Sequence, residues 1–110
     1  MTLLLKHCTQ AAPALSADDI DRLLPLVAGW AVIDGKLQSS FTFRNYYETI
    51  AFVNALAWVS HQQDHHPELM VSFKLCAVAY TTHSARGELS ENDFICAAKA
   101  SALYVQRAAP

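Results

Sequence analysis

The stretch Trp30-Ala31-Val32-Ile33-Asp34-Gly35-Lys36-Leu37-Gln38-Ser39-Ser40-Phe41-Thr42-Phe43-Arg44 sets the architecture. Trp30 to Ile33 and Leu37 to Arg44 are strand candidates. Asp34-Gly35 between them is a hairpin signal, because a tight turn between antiparallel strands needs positive φ. Leu37, Ser39, Phe41 and Phe43 point one way; Gln38, Ser40, Thr42 and Arg44 point the other. One face of the sheet is therefore buried and the other at least partly wet.

Upstream, Ser16-Ala17-Asp18-Asp19 is a helix start, with Ser16 as cap and Ile20, Leu23, Leu24 and Val27 on one face. Pro25 lacks the N–H a helix interior needs, so the helix kinks or ends near it, with Gly29 as terminator. Residues 1–15 read as a loosely held arm, and residues 16–107 as one domain. Downstream, Asn45 to about Gln63 is a central helix whose apolar residues go around most of its circumference. One side packs on the sheet; the economical cover for the other is a second copy of the chain, which predicts a homo-oligomer. Leu69 to Phe73 and Leu75 to Thr82 are two further strands. Ser84 to Leu89 is a loop. Ser90-Glu91-Asn92-Asp93 opens a final helix to about Arg107, with Phe94, Ile95, Ala98, Ala102 and Val105 as candidate core contacts. The fold class is α+β, in the order α-β-β-α-β-β-α: four antiparallel strands with three helices on one face.

Composition excludes several function classes. The chain has 110 residues, 53% of them hydrophobic, enough for a single core. A net charge of −2 leaves no basic patch for nucleic acid. The apolar run from Ile50 to Val59 is too short to span a bilayer, and Leu3-Leu4-Leu5 is too short for a signal-peptide core. Cys8, Cys76 and Cys96 have no motif spacing and read as reduced thiols, Cys76 and Cys96 as small core residues. A soluble, cytoplasmic protein is expected.

Four of the five histidines lie between residues 61 and 83, in His61-Gln62-Gln63-Asp64-His65-His66-Pro67 and in Thr81-Thr82-His83. Pro67 disfavours helix at the residue before it, so His65 and His66 sit where the central helix stops. His83 sits at the end of the fourth strand. Three readings compete. In the first, these are terminus residues favoured by the helix dipole. In the second, His61 and His65, four apart on a helix, bind a metal with His83 as third ligand. Gln62 stands where the zinc-protease helix motif has Glu, and no fourth ligand is obvious. In the third, imidazoles in different surroundings perform metal-free proton transfer, such as elimination of water or tautomerisation. No nucleophile motif or Gly-rich phosphate cradle is present.

His61, His65-His66-Pro67, Phe73, Thr82-His83 and Asp93 together form a specific pattern. With Gly29-Trp30, Asp34-Gly35, Phe41-Thr42-Phe43 and Ala51-Phe52-Val53, it resembles the pterin-4a-carbinolamine dehydratases over roughly Leu15 to Ala102. The resemblance implies a dehydratase that removes water from 4a-hydroxytetrahydropterin, the adduct left by an aromatic amino acid hydroxylase such as phenylalanine hydroxylase, to give quinonoid dihydropterin. It implies His65 and His83 as the acid–base pair and His66 as a pterin-orienting residue. Asp64, Thr81, Thr82 and Ser84 would line the pocket and Asp93 would support the histidines. It further implies no metal or dissociable cofactor, and dimers or tetramers. The pattern departs from the family at His61, often Glu, and at Leu69, Trp in animal members. The alternative is a non-catalytic pterin- or protein-binding module, since animal relatives also act as dimerisation cofactors.

Several of these residues have a plainer structural reading. Asp93 is equally a helix cap, Thr81 and Thr82 are good strand formers, Phe73 reads as core, and Trp58 as core or interface. His7 and Cys8 fall on the arm.

Overall fold

The computed structural model describes residues 3–85 and 87–107. Helix α1 (Ala17–Leu23) starts at Ser16, whose hydroxyl accepts the Asp19 N–H. It ends where Pro25 begins a single tight turn, Leu24–Leu26. Strands β1 (Ala31–Ile33) and β2 (Lys36–Thr42) are joined through Asp34 and Gly35, with φ of 52° and 76°. This is the left-handed pair that a tight hairpin requires. Helix α2 (Tyr46–Gln63) is capped by Asn45 and leads to strands β3 (Glu68–Ser72) and β4 (Leu75–Tyr80). Helix α3 (Glu91–Gln106) closes the fold. The sheet is antiparallel in the order β1-β2-β4-β3, so the chain crosses from β2 over α2 to lay β4 in the middle.

The core follows from the period-two pattern of the central strands. Leu37 and Phe41 of β2 and Cys76, Val78 and Tyr80 of β4 turn to one face and are buried. Thr49, Phe52, Leu56 and Ser60 of α2 and Phe94, Ile95, Ala97 and Ala100 of α3 cover them. Phe41, Phe43, Phe52 and Tyr104 stack with centroids 4.9–6.3 Å apart. The Trp30 indole donates to Ser101 Oγ at 2.8 Å, pinning the entry to β1 onto α3. Burying side chains of this size contributes about 1.5–3 kcal/mol each.

Two expectations change, and the choice of core or interface for Trp58 narrows. Phe73 is not core: it stands in the β3–β4 turn, 63% exposed, with the Lys74 ammonium 5.1 Å from its ring centroid. Val105 is not core either, at 79% exposure: its neighbour Tyr104 takes the inward side of the same turn, on Phe41 and Phe43. Trp58 is not core; it lies on the outer side of α2.

The segment before α1 is fastened at many points. Leu3 and Ala12 are buried. Lys6 pairs with Glu91 at 2.7 Å, Lys99 donates to the Leu4 carbonyl, and the Thr9 backbone exchanges two hydrogen bonds with the Asn92 side chain. The Leu15 N–H donates to the Leu89 carbonyl at 2.8 Å.

Candidate active site

The end of α2 builds the site. Asp64 takes a left-handed conformation (φ 49°, ψ 44°) as the C-cap, and its N–H returns to the last turn of the helix. Aspartate is among the few residues that tolerate this geometry. His65 N donates back to the Ser60 carbonyl at 3.2 Å, completing a Schellman-like stop. The chain therefore reverses sharply, and the His65 ring passes inward while His66 stays exposed.

His65 meets a buried carboxylate. Its Nε2 lies 2.6 Å from Asp93 Oδ1, with the His65 side chain 10% exposed and Asp93 fully buried. The other oxygen, Oδ2, accepts from Thr82 Oγ1 at 2.7 Å and from the Ser90 N–H at 2.9 Å. Ser90 Oγ accepts the Asn92 N–H and lies 2.7 Å from Thr82 Oγ1. The Thr82 proton is already committed to Asp93, so the Ser90 hydroxyl donates to Thr82. Hydrogen bonds run from Ser90 to Thr82 to Asp93, and the His65 donor meets the same carboxylate from the other side. An ionised carboxylate only accepts, so the His65 proton resides on Nε2 and Nδ1 keeps its lone pair. The ring also lies nearly parallel to Tyr80, 5.8 Å away.

Electrostatics follow from the same contacts. Burial disfavours the charged imidazole. The Asp93 hydrogen bond and charge outweigh it, with help from Cys8 and Asp64, and hold His65 above its ordinary value. Asp93 has two contacts at once. It is the third helical residue of a capping box with Ser90, and it is the partner of His65.

His83 follows β4 in a short turn, His83–Ala85, and is exposed. It reaches the same pocket of about 250 Å³ as His65, His66, Asp64, Thr81, Thr82 and Ser84. His66, Thr81 and His83 also border a second hollow of about 300 Å³ beside Lys36 and Glu68. The expected residues thus converge, with one exception. His61 stacks on Trp58, 6.0 Å between centroids, and does not line the pocket. Among the described residues, no three His, Cys, Asp or Glu side chains are grouped as metal ligands. A larger hollow of about 580 Å³ lies between the start of α2 and the end of α3. Its walls hold Phe43, Phe52 and Leu103, and its carboxylate, Glu48, is tied to Arg44, so it offers no free acid–base group.

Sequence reasoning missed Thr9, Gln10, Ala11 and Asn92, which complete the pocket wall. Spacing carried no signal for them, because their place depends on how the segment before α1 crosses α3.

The fold is a small α+β domain with a carboxylate-clamped histidine and two further imidazoles around one pocket, groups that can give and take protons. The family model described as pterin 4 alpha carbinolamine dehydratase matches residues 13–103. The chain belongs to this family. A relative from Nitrosomonas eutropha, provisionally named a pterin-4-alpha-carbinolamine dehydratase, is 52% identical over 101 residues, covering 91% of this chain and 88% of the relative. One from Bdellovibrio bacteriovorus with the same name is 46% identical over 111 residues, 98% and 92% of the two chains. The crystal structure of a transcriptional coactivator/pterin dehydratase from Brucella melitensis superposes with a TM-score of 0.78 at 27% identity, covering 83% of this chain and 98% of that one.

Proposed function

We propose that this chain removes water from 4a-hydroxytetrahydropterin by metal-free histidine catalysis, giving quinonoid dihydropterin. The observation that carries the reading is His65 clamped by buried Asp93 on the same pocket as His66 and His83. A carbinolamine already holds the ring-nitrogen lone pair that expels its hydroxyl. The carbon–oxygen bond breaks, the oxygen leaves as water after gaining one proton, and the ring nitrogen gives one up. The protein need only supply the first proton and accept the second. His65 and His83 are the acid–base pair. They occupy unlike surroundings, one buried against a carboxylate and one exposed. His66 orients the pterin, and Asp64, Thr81, Thr82 and Ser84 line its pocket. Asp93 positions His65. His61 has no contact with the pocket, so its departure from the family pattern costs the site little.

The protein works as a homo-oligomer. Tyr47 is 83% and Trp58 62% exposed on the outer side of α2, and β3 is an exposed edge strand carrying Leu69, Met70 and Val71. Surfaces of this kind are usually covered. The same surface favours the second reading, a pterin- or protein-binding module without turnover.

Stopped-flow absorbance separates the two. The adduct is generated in situ by a phenylalanine hydroxylase, and its decay is compared with wild type, with His83→Ala and without protein. Acceleration that falls ~10²-fold in the variant, the usual cost of losing one acid–base group, supports the dehydratase. A wild type no faster than spontaneous dehydration removes it in favour of the binding module.

A further inference from the structure

The sulfurs of Cys8 and Cys96 lie 3.4 Å apart, although the residues are far apart in sequence. Cys8 belongs to the segment that crosses α3; Cys96 is fully buried inside α3, one turn beyond Asp93. Backbone contacts hold Cys8 in place: its N–H donates to Gln63 Oε1 at 2.8 Å, and its Sγ also faces the Asn92 carbonyl at 3.7 Å. The next three residues, Thr9, Gln10 and Ala11, form part of the wall of the histidine pocket. Ala11 sits at φ 54°, a left-handed conformation that a non-glycine residue adopts only when its surroundings impose it.

We propose that Cys8 and Cys96 are a redox-active pair, oxidised by hydrogen peroxide to a disulfide that joins the N-terminal segment to α3 behind the histidine pocket. The two sulfurs need to approach by little more than 1 Å to reach the bonded separation of about 2.05 Å. Neither thiol is engaged in another disulfide, and the third cysteine, Cys76, lies on β4.

The chemistry divides unequally between the two sulfurs. Cys8 is partly exposed, lies in hydrogen-bond contact with Cys96, and feels the positive charges of His65 and Lys99. Together these outweigh burial and hold its thiol below the ordinary value. Cys96, in contact with Cys8 and fully buried, is pushed up. Cys8 is therefore the attacking thiolate, since the thiolate is the nucleophile. Its sulfur bonds to one peroxide oxygen, the O–O bond breaks, and hydroxide leaves, taking up a proton to become water. Cys96 then attacks the Cys8 sulfenic acid. The S–S bond forms, the S–O bond breaks, and the oxygen departs as water with the Cys96 proton. Two thiols and one peroxide give one disulfide and two waters. Closure draws the chain just ahead of Thr9 toward α3 and moves the wall of the pocket, whichever reaction the pocket performs.

The test uses the full chain, reduced, exposed to hydrogen peroxide, quenched with N-ethylmaleimide and read by intact mass and non-reducing peptide mapping. Two of the three cysteines should escape alkylation, and a peptide joining Cys8 to Cys96 should appear and vanish with dithiothreitol. Cys76→Ser should respond like wild type. Cys96→Ser should stop at a Cys8 sulfenic acid that dimedone traps. Amide resonances of Thr9 to Ala11 should shift on oxidation. Over-oxidation of Cys8 without the link, a link between separate molecules, or equal reaction at Cys76 overturns the pair. A link that leaves those amides unmoved overturns its connection to the pocket.

Discussion

Asp93→Asn isolates what the carboxylate does for His65. Asp93 accepts from His65 Nε2 at 2.6 Å, Thr82 Oγ1 at 2.7 Å and the Ser90 N–H at 2.9 Å. An amide of the same shape offers one accepting oxygen and two donor hydrogens. The Thr82 and Ser90 donors share one carboxylate oxygen, so the amide oxygen turns to them and its NH₂ faces His65. Two N–H groups then meet unless the imidazole moves its proton to Nδ1. The variant keeps the fold and the ring position but holds the wrong tautomer. The lone pair that would accept a substrate proton is spent on the amide, and turnover should fall by ~10² to 10⁴, the range for a lost acid–base group.

Stability supplies a readout independent of substrate. A hydrogen bond to a charged group contributes about 1.5–3 kcal/mol and a neutral one about 1 kcal/mol. The variant should therefore lose about 0.5–2 kcal/mol where His65 is protonated, or roughly 2–16 °C in Tm. Because folding raises the His65 value, its stabilising contribution is fully present below the ordinary value of about 6.5 and disappears as pH rises through the raised folded value. The Tm gap between wild type and variant should thus be widest at mildly acidic pH and narrow above neutrality. Scanning calorimetry at stepped pH measures the gap, and ¹⁵N-histidine NMR follows the ring. In the variant burial is opposed only by the weaker Cys8 and Asp64 charges, so the ring should titrate at lower pH. A Tm gap independent of pH, or a ring titrating alike in both proteins, would refute the clamp.

His66→Ala should raise KM by ~10-fold, the worth of one hydrogen bond, with kcat little changed; steady-state kinetics showing an equal fall in kcat would move His66 into the proton-transfer steps. Leu56→Ala, at a fully buried position of α2, should cost about 2–5 kcal/mol in urea unfolding with m unchanged. Trp58→Glu puts a charge on the exposed side of α2 and should shift sedimentation velocity toward smaller species; an unchanged coefficient would mean that this face does not mediate assembly.

Local chemistry made the elements legible. Asp34-Gly35 announces its turn, and Ser16, Asn45 and Ser90 cap the helices they precede. Such signals act within a few residues, where sequence and structure nearly coincide. Phe73 and Val105 are exposed because size predicts burial only where the backbone turns a side chain inward; Phe73 stands at a hairpin tip, and Val105 follows Tyr104, which takes the inward side of its turn. The candidate site was legible as a set of residues but not as a circuit. Nothing in the spacing of Ser90, Thr82, Asp93 and His65 states that their hydrogen bonds meet on one carboxylate, and the route of Cys8 to Cys96 depends on a crossing that no local rule encodes.

Asp93 shows why cap and site need not be alternatives. A helix start leaves backbone N–H groups without partners, and a carboxylate three residues in satisfies one of them. That use occupies a single oxygen, here together with Thr82, and leaves the other charged, buried and in need of a donor. An unpaired buried carboxylate is costly, so the fold is stable only with a donor at that point. The left-handed stop at Asp64 supplies one by turning His65 inward. The cap holds the carboxylate still, the carboxylate fixes the tautomer, and the tautomer leaves Nδ1 free. On this account the precision of the histidine comes from the rigidity of two helix ends, the C-terminus of α2 and the N-terminus of α3. Changes that loosen either end should impair proton transfer even where they touch no atom of the pocket.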